Sequence, residues 1–234
     1  MKPLLVLAAF PVVLMGWASC SHSGTGHAAL PDPRAVDKSV PEYKNPFHPS
    51  TYAHFVARKD YRKTYDVYKD DTLLNRQPKK SRKIFVCLDE QRGQYLVDGL
   101  VAMDFPLSSG VKAYPTKTGD YAVISKKEDH TSNLYGKMYD AEGKCINYNA
   151  ESTDPIPEGG RFDGSPMPYW QRLTNAGLGL HGGKVRRQPV SHGCVRLPRN
   201  VAEILYRQTS IGTPVTIRKT PLPVPEAQKV PAVQ

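Results

Sequence analysis

The chain has no apolar run long enough to cross a membrane. The run near its start, Leu4 to Trp17, is interrupted by Pro11 and falls short of the roughly 18 to 20 residues that a spanning helix needs. No internal repeat is visible, which sets repeat architectures aside. Cysteine is scarce: Cys20, Cys87, Cys145 and Cys194 are the whole supply, and sequence alone fixes no pairing among them. Acidic charge is also short. Aspartate and glutamate number 22 against 32 lysines and arginines, a formal net charge of +10 in 234 residues. An excess of that size favours polyanionic partners, or serves solubility alone.

What is present begins with "MKPLLVLAAFPVVLMGWASC". A lysine, a short apolar stretch and the small residues Ala18 and Ser19 have the layout of a secretory signal over residues 1–19. Export makes nucleic acid a poor candidate for the polyanion, and leaves anionic cell-wall polymer or lipid headgroups. Cys20 directly after Ala-Ser resembles the lipobox of bacterial lipoproteins, although Trp17 stands where an aliphatic residue is usual. That resemblance implies lipid on Cys20, and Ser21 in place of aspartate points to the outer membrane. Ordinary cleavage nearby is the alternative and would release a soluble periplasmic protein. Membrane contact is otherwise expected only through the signal itself.

Residues 20–82 are polar, basic and turn-rich, without a sustained period of two or 3.6, and read as a tether. Tyr43, Tyr52, Tyr61, Tyr65 and Tyr68 leave room for a short ordered piece packed on the domain. Residues 220–234 form a proline-rich tail. Between them, residues 83–219 change character. From Lys83 to Ser108 a β-meander is expected, with Asp98-Gly99 as a hairpin turn that needs positive φ. "GDYAVISKK" alternates as one further strand, and Asp129 to Gly164 cannot be ordered by pattern. Asn200, with Glu203 three positions on, predicts a capped helix over "VAEILYRQ", presenting Val201, Ile204 and Leu205 to a sheet. "TPVTIRK" then closes the domain as a strand. The fold class is mostly β. Cys87 lies in an apolar strand pattern, where a buried thiol behaves as a small hydrophobe; pairing with Cys145 in an oxidising compartment stays open.

Two pieces carry chemistry: "LGLHGG", Leu178 to Gly183, and "PVSHGCVRLP", Pro189 to Pro198. A histidine delivered at a strand end can meet a loop cysteine when the loop folds back. Thiol chemistry needs that meeting, because the thiolate is the nucleophile and a free cysteine titrates near ~8.5. Gly193, lacking a Cβ, lets a turn aim backbone N–H groups at a developing oxyanion. Three plainer readings compete. Cys194 can be a packed core thiol, although Ser191, His192, Gly193 and Arg196 are not apolar company. His181, His192 and Cys194 can ligate zinc, although no carboxylate or fourth ligand is in view. The arginines can be a solvated basic loop, a reading accepted for Arg186, Arg187 and Arg199. It is weaker for Arg196, which shares the side of Cys194 on an extended chain.

"LGLHGG" followed at this distance by "SHGCVRL" resembles the L,D-transpeptidase (YkuD-type) catalytic domain family of bacterial cell-wall enzymes. "YPTKTGDYAV", "MPYWQRL", "GTPVTI" and the meander support the resemblance, which runs from about Lys83 to Lys219. It implies a β-sandwich or barrel-like sheet with one or two short helices, no cofactor and no metal. It further implies Cys194 as nucleophile toward a tetrapeptide stem of peptidoglycan, with release of D-alanine and a thioester intermediate. His181 becomes general base and acid, oriented by the carbonyl of Gly182. The amides of His192, Gly193 and Cys194, in the turn that Ser191 opens, become the oxyanion hole, with the His192 side chain lining the pocket. Arg196 positions substrate through a carboxylate, and Tyr169 and Trp170 are pocket walls or core aromatics. Acylation by carbapenems is expected. The acceptor stays open: a second stem, giving a 3→3 cross-link, a lysine of an envelope protein, or water, as in a carboxypeptidase or amidase. A non-catalytic peptidoglycan-binding module is a further alternative.

Overall fold

The structure, a computed structural model, describes residues 30–77 and 81–231. The signal reading over residues 1–19 and the lipidation reading at Cys20 lie outside the described residues. Three short elements come first: helix α1 (Tyr52–Ala57), strand β1 (Tyr68–Lys69) and helix α2 (Asp71–Leu74). The expected meander follows as β2 (Arg82–Cys87), β3 (Arg92–Val97) and β4 (Leu100–Pro106). Its hairpin turn has φ of 50° at Asp98 and 79° at Gly99, the left-handed pair a primed turn requires.

"GDYAVISKK" gives two strands where one was expected, β5 (Gly119–Ala122) and β6 (Ser125–Lys127). The Val123 N–H goes to the Thr213 carbonyl and the Ile124 N–H to that of Arg172. The chain changes sheets between them while burying Val123. Next comes a small sheet of β7 (Thr131–Tyr139), β8 (Cys145–Glu151) and β9 (Arg161–Pro166), then β10 (Trp170–Arg172), β11 (Gly179–Gly182) and β12 (Val195–Leu197). Helix α3 (Arg199–Gln208), strand β13 (Pro214–Arg218) and a 3₁₀ turn at Glu226–Gln228 complete the order.

The molecule is mostly β. Its three sheets run β1-β4-β3-β2-β13-β5, β12-β11-β10-β6 and β8-β7-β9, and none closes on itself. One apolar cluster joins the two larger sheets: Ile84, Met103, Phe105 and Ile217 from the first meet Leu180, Val195 and Leu197 from the second. Helix α3 adds Val201, Ala202 and Leu205, while Ile204 stays only partly covered. The expected cap at Asn200 does not form. The helix starts two residues earlier, at Arg199, with Pro198 as N-cap and no side-chain cap bond, and Glu203 pairs with Arg207 at 2.7 Å instead.

Within the expected tether, residues 30–77 hold the ordered piece that its tyrosines left room for, and it is larger than a short one. Phe47, Tyr52, Phe55, Val56 and Tyr61 are buried in a second cluster with Val101 and Val224. Beneath them lies a fully buried ion pair between Arg92 and Asp104. The Tyr52 and Tyr61 hydroxyls donate to Asp104 at 2.7 and 2.9 Å, and Arg92 donates to the carbonyls of Thr64 and Asp66. A charged pair inside a protein needs its remaining hydrogen-bonding capacity filled, and this segment fills it. The proline-rich tail also docks: the Gln228 amide bonds both the N–H and the carbonyl of Val101. No helix among the described residues is long and apolar enough to cross a membrane.

Candidate active site

Strands β11 and β12 run parallel, with Leu180 opposite Val195 and His181 opposite Arg196. Extending that register one step places Cys194 beside Gly179. Side chains two apart on a strand share a face, so Cys194, Arg196 and His181 project to the same side. Gly179 is there for space: a Cβ would run into the Trp170 ring and the Gln171 carbonyl.

The Cys194 thiol donates to the Gly177 carbonyl at 3.3 Å. Burial pushes its pKa up, against smaller lowering effects from the Gly179 N–H and Arg196. His181 is 5 % exposed, and burial brings its pKa down to about 4, with Arg196 and His130 adding to the fall and the Gly182 contact opposing it. Its Nδ1 meets the Gly182 carbonyl at 3.0 Å. Both groups are therefore neutral at rest, and Nε2 is the nitrogen left to accept a proton.

Cys194, His181 and Arg196 line one cavity of about 660 Å³, together with Trp170, His192 and Gly193. Trp170 stands between two imidazoles, 5.1 Å from His130 and 6.1 Å from His181 between ring centroids. The His192 ring stacks on Tyr135 of the small sheet at 4.2 Å and leans on Tyr114 at 4.9 Å. Tyr169 is not in the lining. It packs in the core near Tyr206 and beneath the Arg199 guanidinium, so its reading as a pocket wall is corrected.

The turn bearing Cys194 is held from behind by residues 108–116. Ser108 and Arg196 exchange backbone hydrogen bonds at 3.0 and 2.9 Å, the Ser109 carbonyl accepts from the N–H groups of Val190 and Ser191, and the Val111 N–H donates to the Ser191 carbonyl. Ser109 is fixed in turn by the buried Gln91 amide, which donates to its hydroxyl and accepts from its N–H. Ser191 braces the turn internally: its hydroxyl donates to the Cys194 carbonyl at 2.5 Å and accepts the Gly193 N–H at 3.2 Å. Of the three amides expected in an oxyanion hole, that of Gly193 is thus occupied. Those of His192 and Cys194 have no acceptor among the described residues. Gly193 itself has φ of 108°, a backbone region favourable only to glycine.

Arg187 is not a solvated loop residue, contrary to the expectation from sequence. Its guanidinium donates to the carbonyls of Thr64 and Glu90 at 2.9 and 3.0 Å, which ties the loop before Cys194 to the N-terminal segment. Thr116, Gln91, Ser109, Tyr135 and His130 went unseen as site residues in the sequence; only "YPTKTG" flagged the neighbourhood of Thr116. Cys87, Cys145 and Cys194 are all unpaired. Cys87 is buried, its thiol donates to the Lys219 carbonyl, and burial raises its pKa to about 11. Among the described residues no group of three or more His, Cys, Asp or Glu side chains is arranged to hold a metal ion.

Comparison with known proteins bears on this geometry. The family model for the L,D-transpeptidase catalytic domain (YkuD) matches residues 81–217. A curated relative from Mycobacterium tuberculosis, "Probable L,D-transpeptidase 3", is 31% identical over 121 residues, which cover 49% of this chain and 38% of the relative. The chain therefore spans well under half the length of that relative. Among solved structures, an L,D-transpeptidase from Mycobacterium smegmatis aligns at 21% identity and a TM-score of 0.45 over 58% of each chain. One from Stackebrandtia nassauensis aligns at 21% identity and 0.44 over 71% of this chain and 65% of that one. Since the matched region takes in more than half of the chain and the whole of β11, the turn and β12, this chain belongs to the L,D-transpeptidase catalytic domain family.

Proposed function

We propose that the chain is a cell-wall L,D-transpeptidase that acts through a Cys194 thioester. The observation that carries this is the parallel register of β11 and β12, which turns Cys194 and His181 into one cavity. Peptidoglycan stem peptides are its donor substrate. His181 Nε2 takes the thiol proton as Sγ attacks the carbonyl that precedes the terminal D-alanine. The oxyanion collapses, the C–N bond breaks, and the same proton leaves with the D-alanine amine. An incoming amine then attacks the thioester, gives its proton through His181 to the departing sulfur, and leaves Cys194 as the thiol. A base positioned in this way contributes roughly 10² to 10⁴ in rate.

The cavity's charge supports a stem-peptide substrate. Its charged lining residues are Lys117, Arg172, Lys184 and Arg196, without an aspartate or glutamate. Stem peptides carry several carboxylates, and a guanidinium fork such as that of Arg196 matches one bidentately. The acceptor supported best is the amine of a second stem, because cations beyond Arg196 remain to hold its carboxylates too. We infer export from residues 1–19, with Cys20 as the lipid-bearing residue of an outer-membrane lipoprotein facing the periplasm.

Intact-mass measurement of the folded chain with meropenem, beside Cys194→Ala, tests the thioester chemistry. A single adduct carrying the whole β-lactam, absent in the variant, is expected. An unmodified native protein, or an adduct that persists in Cys194→Ala, would overturn it. Incubation with a tetrapeptide-stem donor then separates acceptors: dimers support transpeptidation, and tripeptide alone indicates hydrolysis.

A further inference from the structure

The Gly193–Cys194 peptide is held by a side chain outside the catalytic cavity. Thr116 is 5 % exposed, and its hydroxyl donates to the Gly193 carbonyl at 2.6 Å while accepting the Gly110 N–H at 2.8 Å. Because Gly110 supplies a proton, the hydroxyl's own proton is committed to Gly193. Thr116 lines a shallow crevice with Gln91, Ser109 and Gly110 and is absent from the lining that contains Cys194 and His181. Its hydroxyl therefore reaches the turn from outside the catalytic lining, between Pro115 and Lys117, which line both spaces.

A trans peptide is planar, with its C=O and N–H pointing in opposite directions. A carbonyl anchored toward Thr116 accordingly sends the Cys194 N–H away from Thr116, and Cys194 itself lines the cavity. That N–H has no acceptor among the described residues, whereas the neighbouring Gly193 N–H is taken by Ser191. We propose that Thr116 is a positioning residue for acyl transfer, its hydroxyl fixing the Gly193–Cys194 peptide so that the Cys194 N–H meets the oxyanion of the tetrahedral intermediate. The inference rests on the thioester reading above. Its physical basis is that a donor fixed before the reaction needs no reorganisation as charge develops. With no Cβ, the backbone at Gly193 (φ 108°) has little of its own to keep that plane from rotating.

Two reactions of the same thiol separate this role from a merely structural one. Acylation by a β-lactam forms the S–C bond and breaks the ring C–N bond through an oxyanion, with the thiol proton passing to the ring nitrogen. Alkylation by iodoacetamide forms an S–C bond and expels iodide, with the proton lost to solvent, and no oxyanion forms. Both rates are read by intact mass on the full chain for native protein, Thr116→Val and Thr116→Ser. Removing an oxyanion donor outright costs about 10² to 10³ in rate, so loss of its positioning in Thr116→Val is expected to slow acylation by roughly ten- to a hundredfold. Alkylation should stay near the native rate, and Thr116→Ser should restore acylation. Equal loss in both reactions, or unchanged acylation in Thr116→Val, overturns the proposal. If Thr116→Val does not fold, the ratio of the two rates in Thr116→Ala decides the matter in the same way. A native protein that alkylates but is never acylated would count against the thioester reading instead.

Discussion

His181 and Arg196 stand directly opposite each other in the β11–β12 ladder, so a guanidinium flanks the imidazole proposed to accept the thiol proton. Burial is the larger influence on that imidazole and the cation adds to it. An imidazolium at this position is disfavoured twice over, and the resting ring is neutral.

This has a consequence for stability against pH. The folded pKa of His181, about 4, lies below the ordinary histidine value of about 6.5. The unfolded chain thus binds the proton more readily, and the native state is favoured above pH ~6.5 and loses that advantage as pH falls toward 4. The loss attributable to His181 is on the order of 3 kcal/mol across that window. Urea unfolding at neutral pH and near pH 4.5 should show it, and His181→Gln should flatten the difference. An equal pH slope in the variant would assign the loss to other groups.

Charge around the cavity predicts a salt-sensitive donor interaction. Lys184→Gln and Arg172→Gln should each raise KM for a free-carboxylate stem peptide about two- to fivefold, the range of a solvated ion pair. They should leave the rate at saturation nearly unchanged. Added salt should narrow the gap between native protein and variants. A donor with its carboxylates converted to carboxamides should bind all of them alike. Steady-state kinetics with both donors decides it.

Gly110→Ala should damage the site from behind. Its new Cβ would meet the Tyr114 carbonyl and lie 2.8 Å from the Gly193 Cα, and backbone cannot yield as a flexible side chain does. A destabilisation of roughly 1 to 3 kcal/mol is expected from such overpacking, with acylation of Cys194 falling beyond what the drop in Tm explains. Thermal melts paired with adduct rates would measure both.

Asp104→Ala should be the most destabilising single change outside the site. It strands the fully buried Arg92 guanidinium and removes the acceptor of Tyr52 and Tyr61. Breaking one side of a buried pair costs about 3 to 5 kcal/mol. The Thr64 carbonyl that accepts from Arg92 also accepts from Arg187, so the loop before Cys194 should loosen too. Denaturant midpoints, with proteolysis mapped at residues 183–190, test both effects.

Cys194, His181 and Arg196, which the structure brings into one cavity, were legible in the sequence because they are local facts: two short motifs, with Cys194 and His181 each beside a glycine. Thr116 and Gln91 were not, because neither does anything until the 108–116 segment lies against the Ser191 turn. Nothing local marks Arg92 and Asp104 as a buried pair; the tertiary cover of Tyr52 and Tyr61 makes them one. The tyrosines hinted at that cover but not at its extent, because residues 30–66 fold mainly through turns and long-range contacts, and turns leave no hydrophobic period. Asn200 misled for the opposite reason: a good local cap pattern gave way to a helix that Pro198 caps two residues sooner.

The docking of residues 30–77 also bounds how far the protein can act. Were residues 20–82 free, they would extend on the order of 200 Å. With Leu30 already partly covered by the domain, the span from Cys20 is about ten residues, at most roughly 35 Å when fully stretched. Under the proposed lipidation, Leu30 would lie within that distance of the lipid surface, and under the proposed function the enzyme would reach only wall strands near the membrane that holds it.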